Sequence, residues 1–379
     1  MRWEIKSIGE LCEIFDNKRK PITKRDRIEG EIPYYGATGV LSYIDDFIFN
    51  EKLVLLGEDG AKWESGDNSS FIINGKTWVN NHAHVLKPKR NFLLDEWLVY
   101  NLNHQNLMPY VSGMTVPKLN QGNMKKIEIP IPPLSEQKQI VETLDKAFEK
   151  IDKAIANIER NIKNAGELLN TKIEELFDSS TEMKPISKIC LKTNNISWKA
   201  EGKKEYKYLD LSSVKRNDNK IISYSVVNCD NAPSRAKKFI IERDVIFATT
   251  RPTLKRAAII DKTFNNNICS TGFVVLRSKG DVKPDWIYNF LFTKKFISRM
   301  EKLQRGASYP AVSDNDVKNT MIPLPINSSK ELLSLEELNK VKGRVKNLKH
   351  DYNNKINSLN ELKKSILEKA FNGELTSAA

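Results

Sequence analysis

Gly113-Met-Thr-Val-Pro117, followed by Met124-Lys125 and Ile129-Pro-Ile-Pro132, returns later in the chain as Gly306-Ala-Ser-Tyr-Pro310, Val317-Lys318 and Ile322-Pro-Leu-Pro325. The offset is a constant 193 positions, without a gap. Internal repetition decides an architecture before any local propensity does, and other pieces return in the same order. Ile8-Gly-Glu-Leu-Cys12 resembles Ile186-Ser-Lys-Ile-Cys190, and Glu51-Lys-Leu-Val-Leu-Leu56 resembles Glu242-Arg-Asp-Val-Ile-Phe247. Glu96-Trp97-Leu98 returns as Asp285-Trp286-Ile287, and Glu167-Leu168 with Phe177 as Glu361-Leu362 with Phe371. Two copies of one unit fill nearly all of the 379 residues.

Each copy has two parts. The first carries short β-type runs, such as Phe47-Ile-Phe49, Lys52 to Leu56, Asp244 to Phe247 and Gly272 to Leu276, punctuated by Asn, Gly, Asp and Ser. One amphipathic helix is expected around Trp97 and one around Trp286. In the second part Ile129-Pro-Ile-Pro-Pro133 stops any earlier strand, and Ser135 is placed to N-cap a helix. Val141, Leu144, Phe148, Ile151, Ile155, Ile158, Ile162, Ala165 and Leu169 then alternate gaps of three and four, a heptad seam. The second copy repeats it with Leu338, Val341, Val345, Leu348 and Tyr352, then after a stutter Ile356, Leu359, Leu362, Ile366 and Ala370. About 45 helical residues span roughly 65 Å, and the natural partner for each apolar stripe is the other copy, run antiparallel. The reading is α+β: two homologous globular domains, 1–133 and 179–326, separated by two long antiparallel coiled-coil helices, 134–178 and 327–372, with a tail at 373–379 and an internal pseudo-two-fold repeat.

Charge is not shared evenly between the parts. The net charge is +13, and by segment it is 0, −3, +13 and +3, so the excess lies wholly in 179–326. That domain reads as a polyanion binder. In the neutral first domain Lys18, Arg19, Lys20, Lys24, Arg25 and Arg27 cluster within ten positions, equally readable as a solvated loop. No apolar run approaches the ~18 residues of a membrane span, and MRWEIKSIGE is too polar for a signal peptide. Cys12, Cys190, Cys229 and Cys269 are isolated, without the spacing of a zinc site or a disulfide framework. A cytoplasmic protein without membrane partners is expected.

Two similar globules on a two-helix spacer suit a split DNA site with half-sites on opposite strands, and their sequence divergence predicts unlike half-sites. The segment Ile129-Pro-Ile-Pro-Pro-Leu-Ser-Glu-Gln-Lys-Gln-Ile-Val141 resembles the start of the helical spacer in specificity subunits of type I restriction–modification systems, and Ile366-Leu-Glu-Lys-Ala-Phe-Asn-Gly-Glu-Leu-Thr376 resembles the end of their second spacer. Ile32-Pro-Tyr-Tyr-Gly-Ala-Thr-Gly39, Leu56-Gly-Glu-Asp-Gly60 and Val79-Asn-Asn-His-Ala-His84 resemble one class of their target recognition domains. Thr249-Thr-Arg-Pro252, Ser270-Thr-Gly272 and Tyr309-Pro-Ala-Val-Ser313 resemble another. The resemblance implies a non-catalytic prokaryotic subunit that binds double-stranded DNA and holds two modification (methyltransferase) subunits on it. It further implies restriction subunits that add an ATP-driven translocating nuclease. Pairing with a fused restriction–methylation enzyme, or a role as a DNA-binding coiled-coil adaptor, are the other readings.

The residues independently argue against catalysis. The sequence has no GxxxxGK[ST] loop, and no Asn/Asp-Pro-Pro-Tyr, since Pro132-Pro133 is followed by leucine. A self-sufficient methyltransferase or nuclease is therefore disfavoured, and no cofactor is implied. Glu58 and Asp59 with His82 and His84 could be imagined as a metal site, but turn chemistry in Gly-Glu-Asp-Gly and strand-edge packing of the histidines account for them better.

Base readers are sought on polar loops with glycines that permit close approach. In the first domain these are Tyr35 and Thr38, Glu58 and Asp59, Asn80, Asn81 and His82, and Lys118, an amide being suited to bidentate pairing with adenine. In the second they are Arg235, Thr249, Thr250, Arg251, Arg305, Ser308 and Tyr309, arginine to guanine being the commonest specific contact. Lys237, Lys238, Lys255 and Arg256 read as phosphate contacts, giving affinity and salt dependence but no sequence information.

Overall fold

A computed structural model describes residues 3–113, 115–178, 182–216 and 218–375. Met114, the junction at 179–181 and the tail beyond 375 lie outside the described residues. The chain divides into two compact units, residues 1–158 with 353–379, and residues 159–352.

The first unit opens with β1 (Glu4–Ser7), the one-turn α1 (Ile8–Leu11) and β2 (Cys12–Ile14). It continues through β3 (Ile32–Gly36), β4 (Gly39–Ile44), β5 (Phe49–Asn50), β6 (Leu53–Gly57), β7 (Ser70–Ile73), β8 (Lys76–Val79) and β9 (Ala83–Pro88). Then come α2 (Asp95–His104), the short α3 (Gln121–Met124) and β10 (Glu128–Ile131). β1 pairs with β10 as a ribbon, and two four-stranded sheets run β2-β9-β6-β7 and β4-β3-β8-β5. β6 is buried along its whole length because both faces are covered. Leu53 and Leu55 meet Phe49, Ile73, Val79 and Val85 in a core with the second sheet. Val54 and Leu56, one pleat away, face the helices with Trp97, Leu98 and Leu144.

The long helices are α4 (Leu134–Asp178), which leaves the first unit, and α10 (Ser328–Phe371), which leaves the second. Between them the second unit repeats the plan of the first with β11 (Met183–Pro185), α5 (Ile186–Ile189), β12 (Cys190–Leu191), α6 (Trp198–Glu201), β13 (Tyr206–Leu209), β14 (Ser225–Val227), β15 (Ala236–Ile240), β16 (Val245–Ala248), β17 (Ala257–Ile259), β18 (Asn267–Ser270) and β19 (Phe273–Ser278). Helices α7 (Pro284–Phe290), α8 (Lys294–Leu303) and α9 (Asp314–Lys318) and strand β20 (Met321–Pro323) complete it. Its sheets are β11-β20, β12-β19-β16-β17 and β14-β13-β18-β15, strand for strand the order of the first unit. One helix was expected around Trp286; the structure adds α8, whose apolar face (Phe296, Met300) packs into the same core.

Ser135 is not the cap expected of it. The Pro133 carbonyl accepts from the Glu136 and Gln137 N–H groups, so the helix starts at Leu134, two residues earlier than a Ser135 cap would place it, and Ser135 falls inside its first turn. Asn327 caps α10 through its side chain, which accepts from Lys330 N–H at 2.8 Å. In the first unit Asp152 of α4 pairs with Lys363 of α10. In the second, Asn161 approaches Tyr352 while Gly166 faces Lys349, an antiparallel run. Leu348 and Leu362, expected in the seam, are 38% and 47% exposed. A straight helix drifts against a strict heptad, and the next residue takes each place: Lys363 lays its ammonium 5.1 Å from the Phe148 ring centre.

The contacts that dock the helices are also duplicated. Trp97 Nε1–H donates to the Pro130 carbonyl and Trp286 Nε1–H to the Pro323 carbonyl, both at 2.8 Å. Trp97 meets Phe371 edge-on at 5.2 Å, and Trp286 meets Phe177 edge-on at 4.9 Å. The side chain of Gln137 accepts from Leu94 N–H at the start of α2, and that of Glu331 accepts from Lys283 N–H at the start of α7. Burial drives the Glu331 carboxyl above its ordinary pKa, against the opposing hydrogen bond from Lys283.

Candidate nucleic-acid interface

In the first unit three loops meet at the C-terminal end of β6. Glu58 N–H donates to the His82 carbonyl at 2.8 Å, and Leu119 N–H to the Glu58 carbonyl at 2.8 Å. Ser112 and Lys118 exchange backbone hydrogen bonds at 2.9 and 2.7 Å, closing the loop over Gly113. The second unit builds the same frame. Thr249 N–H donates to Gly272 at 2.8 Å, Val312 N–H to Thr249 at 2.9 Å, and Arg305 and Ala311 exchange bonds at 2.8 and 2.9 Å. Gly113 and Gly306 bend the paired loops with φ of +96° and +97°, conformations that glycine adopts most readily. Asn120 and Ser313, again 193 apart, cap the short helices α3 and α9, accepting from Asn123 and Asp316 N–H. One backbone scaffold is thus used twice, and only its side chains differ.

On the first frame the charges are paired with one another. Glu58 takes Arg19 at 2.5 Å and Lys118 at 3.0 Å, and Asp59 takes exposed His82. Beneath them His84, fully buried, places Nδ1 2.6 Å from the Asp16 carboxylate and Nε2 2.7 Å from the Leu119 carbonyl. The two ring nitrogens are thus each held by an acceptor, and the ring is fixed between them. Asp16 also takes Val85 N–H at 2.9 Å and the Gln121 amide at 3.0 Å. Burial alone would raise the Asp16 pKa; the bond and charge of His84, with Val85 and Gln121, outweigh it and hold the carboxyl low. For Glu58 burial likewise opposes, and Arg19 and Lys118 bring it below the usual range. Asp16, Glu58 and His84 lie close enough to ligate an ion, but their donors and acceptors are spent on Arg19, Gln121 and Leu119.

Two sequence readings are corrected here. His84 is not at a strand edge: it lies on β9, between β2 and β6, with no exposed surface. Arg19, one of the basic cluster read as a solvated loop or polyanion contact, is instead an internal counter-ion, its side chain 12% exposed. Glu58, Asn80 and Thr249 are buried, Asn80 turning its side chain to accept His82 N–H and Thr249 donating to Gly272. They shape the frame from behind. Tyr35 is half-buried against Phe71, its carbonyl accepting Asn80 N–H, with Thr38 on the next turn. Asn81, His82 and Lys118 are the groups presented outward.

The second frame presents exposed cations and an aromatic. Exposed Arg251, in a left-handed conformation at φ +49°, donates its N–H to Pro310 at 2.6 Å and sets its guanidinium 5.0 Å from the Tyr309 ring, itself 71% exposed. Thr250 bridges to Ala311, the Ser308 carbonyl accepts from Arg251, and Arg305 pairs with Asp316 at 3.1 Å. Arg235 and Lys237 are exposed on the neighbouring strand entry. Lys238 and Arg256 are more committed than sequence suggested: Lys238 reaches Asp314 at 2.5 Å and the Phe273 carbonyl, and Arg256 donates to the Leu211 carbonyl at 2.6 Å. Lys255, at φ +54°, belongs to the same turn and has no ion pair among the described residues. Three of the four cysteines are buried; burial pushes the Cys12 and Cys190 thiols up to about 12, which makes them inert.

A duplicated recognition scaffold, with two differently dressed loop frames and a long helix after each, is the class of protein this geometry defines. The model of the type I restriction modification DNA specificity domain matches residues 1–164 and 170–364. The chain belongs to that family, whose members are non-catalytic specificity subunits. It is 24% identical to the EcoDI specificity subunit of Escherichia coli, across 99% of this chain and 89% of that one. It is 37% identical over 142 residues to the putative specificity subunit S.HindORF215P of Haemophilus influenzae, a match spanning 38% of this chain and 36% of that relative. Among solved structures, a chain described in the assembly and conformational transition of the type I R-M system superposes with a TM-score of 0.72 at 15% identity, over 98% of both chains. The HsdS subunit of Thermoanaerobacter tengcongensis superposes with a TM-score of 0.52 at 16% identity, over 98% of this chain and 97% of that one.

Proposed function

We propose that the chain selects the DNA sequence on which a type I restriction–modification complex acts, each unit reading one half of an asymmetric bipartite target. The observation that carries this reading is the twice-built loop frame: matching backbone hydrogen bonds hold Asn81, His82 and Lys118 in one copy and Arg251, Arg305 and Tyr309 in the other. Equal scaffolds with unequal side chains give two half-sites of unlike sequence. The two long helices would fix the spacing between half-sites and dock two methyltransferase subunits, with restriction subunits joining to add ATP-driven translocation and cleavage. Base contacts fall to the outward groups of each frame. The role of Lys237 and Lys255 is phosphate contact, which sets affinity and not sequence.

The test is a long-read methylome of cells expressing this chain with its neighbouring methyltransferase gene, against the methyltransferase alone. A split motif appearing only when both are present supports the reading. A methylome with an active methyltransferase that is the same in both cultures refutes it. Lengthening α4 and α10 together by one helical turn should widen the gap and leave the half-sites unchanged.

A further inference from the structure

Four residues beyond Arg251, on the side of the second unit toward its own part of α10, lies a cleft of about 520 Å³ that the reading above does not use. Arg216 and Asn219 line it from one loop, Thr253 and Lys255 from the turn after the recognition loop, Lys349 from α10, and Phe292 from the segment between α7 and α8. Three of these are cations from three separate elements, and among the described residues no acidic side chain lines the cleft. Arg216, Lys255 and Lys349 make no side-chain ion pair or hydrogen bond among the described residues. Elsewhere in the chain Lys238, Arg243, Arg277 and Lys363 each hold a carboxylate.

The backbone is committed to the arrangement as well. Both Asn219 and Lys255 have positive φ, +51° and +54°, a conformation that costs a side-chain-bearing residue about 1 kcal/mol or more. The Asn219 side chain accepts from Ala257 N–H at 3.1 Å, tying the Arg216 loop to the strand just after Lys255. Three like charges held around one hollow repel unless an anion lies between them. The neighbouring Thr253 hydroxyl and Asn219 amide suit an oxyanion that takes several hydrogen bonds.

We infer that this cleft is a phosphate-binding site, in which Lys349 of the long helix and Arg216 join Lys255 around one phosphate group. The inference deepens the DNA-reading proposal and rests on it for the source of that phosphate: a duplex read by Arg251 would send its backbone past Lys255 toward α10. A free nucleoside triphosphate offers the same chemistry, and the experiment separates the two.

Full-length chain, its Arg216→Ala/Lys349→Ala variant and a charge-matched Lys330→Ala/Lys346→Ala control are titrated with a non-target duplex by fluorescence anisotropy across a salt series. Binding of ATP and of inorganic phosphate is followed by calorimetry without DNA. Each phosphate contact contributes about 0.9 to the slope of log affinity against log salt. Loss of one contact in the cleft variant, but not in the control, supports a DNA phosphate. Calorimetric binding of ATP or inorganic phosphate that only the cleft variant loses supports a free phosphate ligand. Equal slopes in all three proteins, with no phosphate binding, overturn the inference while leaving half-site reading intact. A wild type that binds no duplex at all would instead remove the DNA-reading proposal, and the calorimetry alone would then decide the cleft. Lys349→Arg with Arg216→Lys should retain the wild-type slope, which distinguishes lost charge from lost fold.

Discussion

Replacing Gly113 or Gly306 by alanine perturbs the two loop frames at matched points, and the surroundings make the two substitutions unequal. Both positions have φ near +97°, so each alanine incurs backbone strain of about 1–3 kcal/mol. Space separates them. A Cβ on Gly306 would meet the Tyr309 carbonyl at 3.2 Å, close enough to be relieved by a few tenths of an ångström. A Cβ on Gly113 would lie 2.4 Å from the Val116 carbonyl, which real structures do not tolerate, so the backbone of the loop must move. Overpacking of that kind adds about 1–3 kcal/mol, giving Gly113→Ala a total of about 2–6 kcal/mol. Because both loops are exposed, they rearrange locally, and the cost appears as displaced outward groups more than as global unfolding. Gly113→Ala should therefore blur the half-site read by the first unit, where Lys118 sits, and leave the other sharp. Gly306→Ala should blur only the second, and less. The assay is the methylome of each variant with the methyltransferase, scored separately by half-site, with urea unfolding followed by tryptophan fluorescence as the stability control. Equal loss at both half-sites in either variant, or a Gly306→Ala effect as large as that of Gly113→Ala, would refute the reasoning.

Asp16→Asn removes the carboxylate that Arg19, His84, Val85 and Gln121 share and should destabilise the first unit by about 3–5 kcal/mol, as breaking a buried pair does; urea midpoints check it. The folded-state pKa values of Asp16 and Glu58 lie below their ordinary values of 3.8 and 4.5, so their contribution is fully present above about pH 5 and is lost as pH falls through the lowered values. Unfolding midpoints measured from pH 7 to pH 3 should fall in the wild type and fall less in Asp16→Asn. Arg251→Lys keeps the charge but loses the planar fork that lies by Tyr309, and should relax discrimination at one position of the second half-site by about 1–3 kcal/mol, with the first half-site unchanged in the methylome. Trp97→Phe and Trp286→Phe each strand a carbonyl, Pro130 or Pro323, and should cost about 1–3 kcal/mol apiece in denaturant titrations, with similar values reporting the structural equivalence of the two sites.

The duplication and the long helices were legible because they rest on patterns that backbone geometry cannot hide. A three-four spacing of Val141, Leu144, Phe148 and Ile151 fits no strand, and the three prolines in Ile129-Pro-Ile-Pro-Pro133 leave few places for a helix to begin. What escaped the sequence was pairing across distance. Nothing local distinguishes Arg19 from Lys18 or Lys20, yet Arg19 turns inward to Glu58, 39 positions away. His84 looked like His82, and strand alternation around Val79 to Val85 did not reveal that β9 would have a neighbour on each edge. Leu348 and Leu362 belonged to the seam by spacing, but the drift of a straight helix hands their places to lysines whose stems pack as well as an apolar side chain. Burial of individual loop side chains was equally hidden: Glu58, Asn80 and Thr249, chosen as candidate readers, turn their side chains to the groups behind them.

The same frame carries opposite electrostatic habits, and that has a consequence for how a split target is selected. Around the first frame every carboxylate named has a partner on it: Asp16 with His84 and Arg19, Glu58 with Arg19 and Lys118, Asp59 with His82 and Lys118. Little net field leaves such a cluster, while its polar groups are held in fixed directions. Around the second, Arg251, Lys255 and Arg216 have no ion pair among the described residues, and the segment that contains them carries the whole net charge of the chain. Attraction to a polyanion therefore originates in the second unit and is insensitive to sequence, whereas the first unit has little to gain from any duplex until its oriented groups meet a matching base edge. A protein built this way would be drawn to DNA by one half and committed by the other. Discrimination would then be sharper in the first half-site, where a mismatch leaves the outward Asn81, His82 and Lys118 with nothing to exchange for the water they lose.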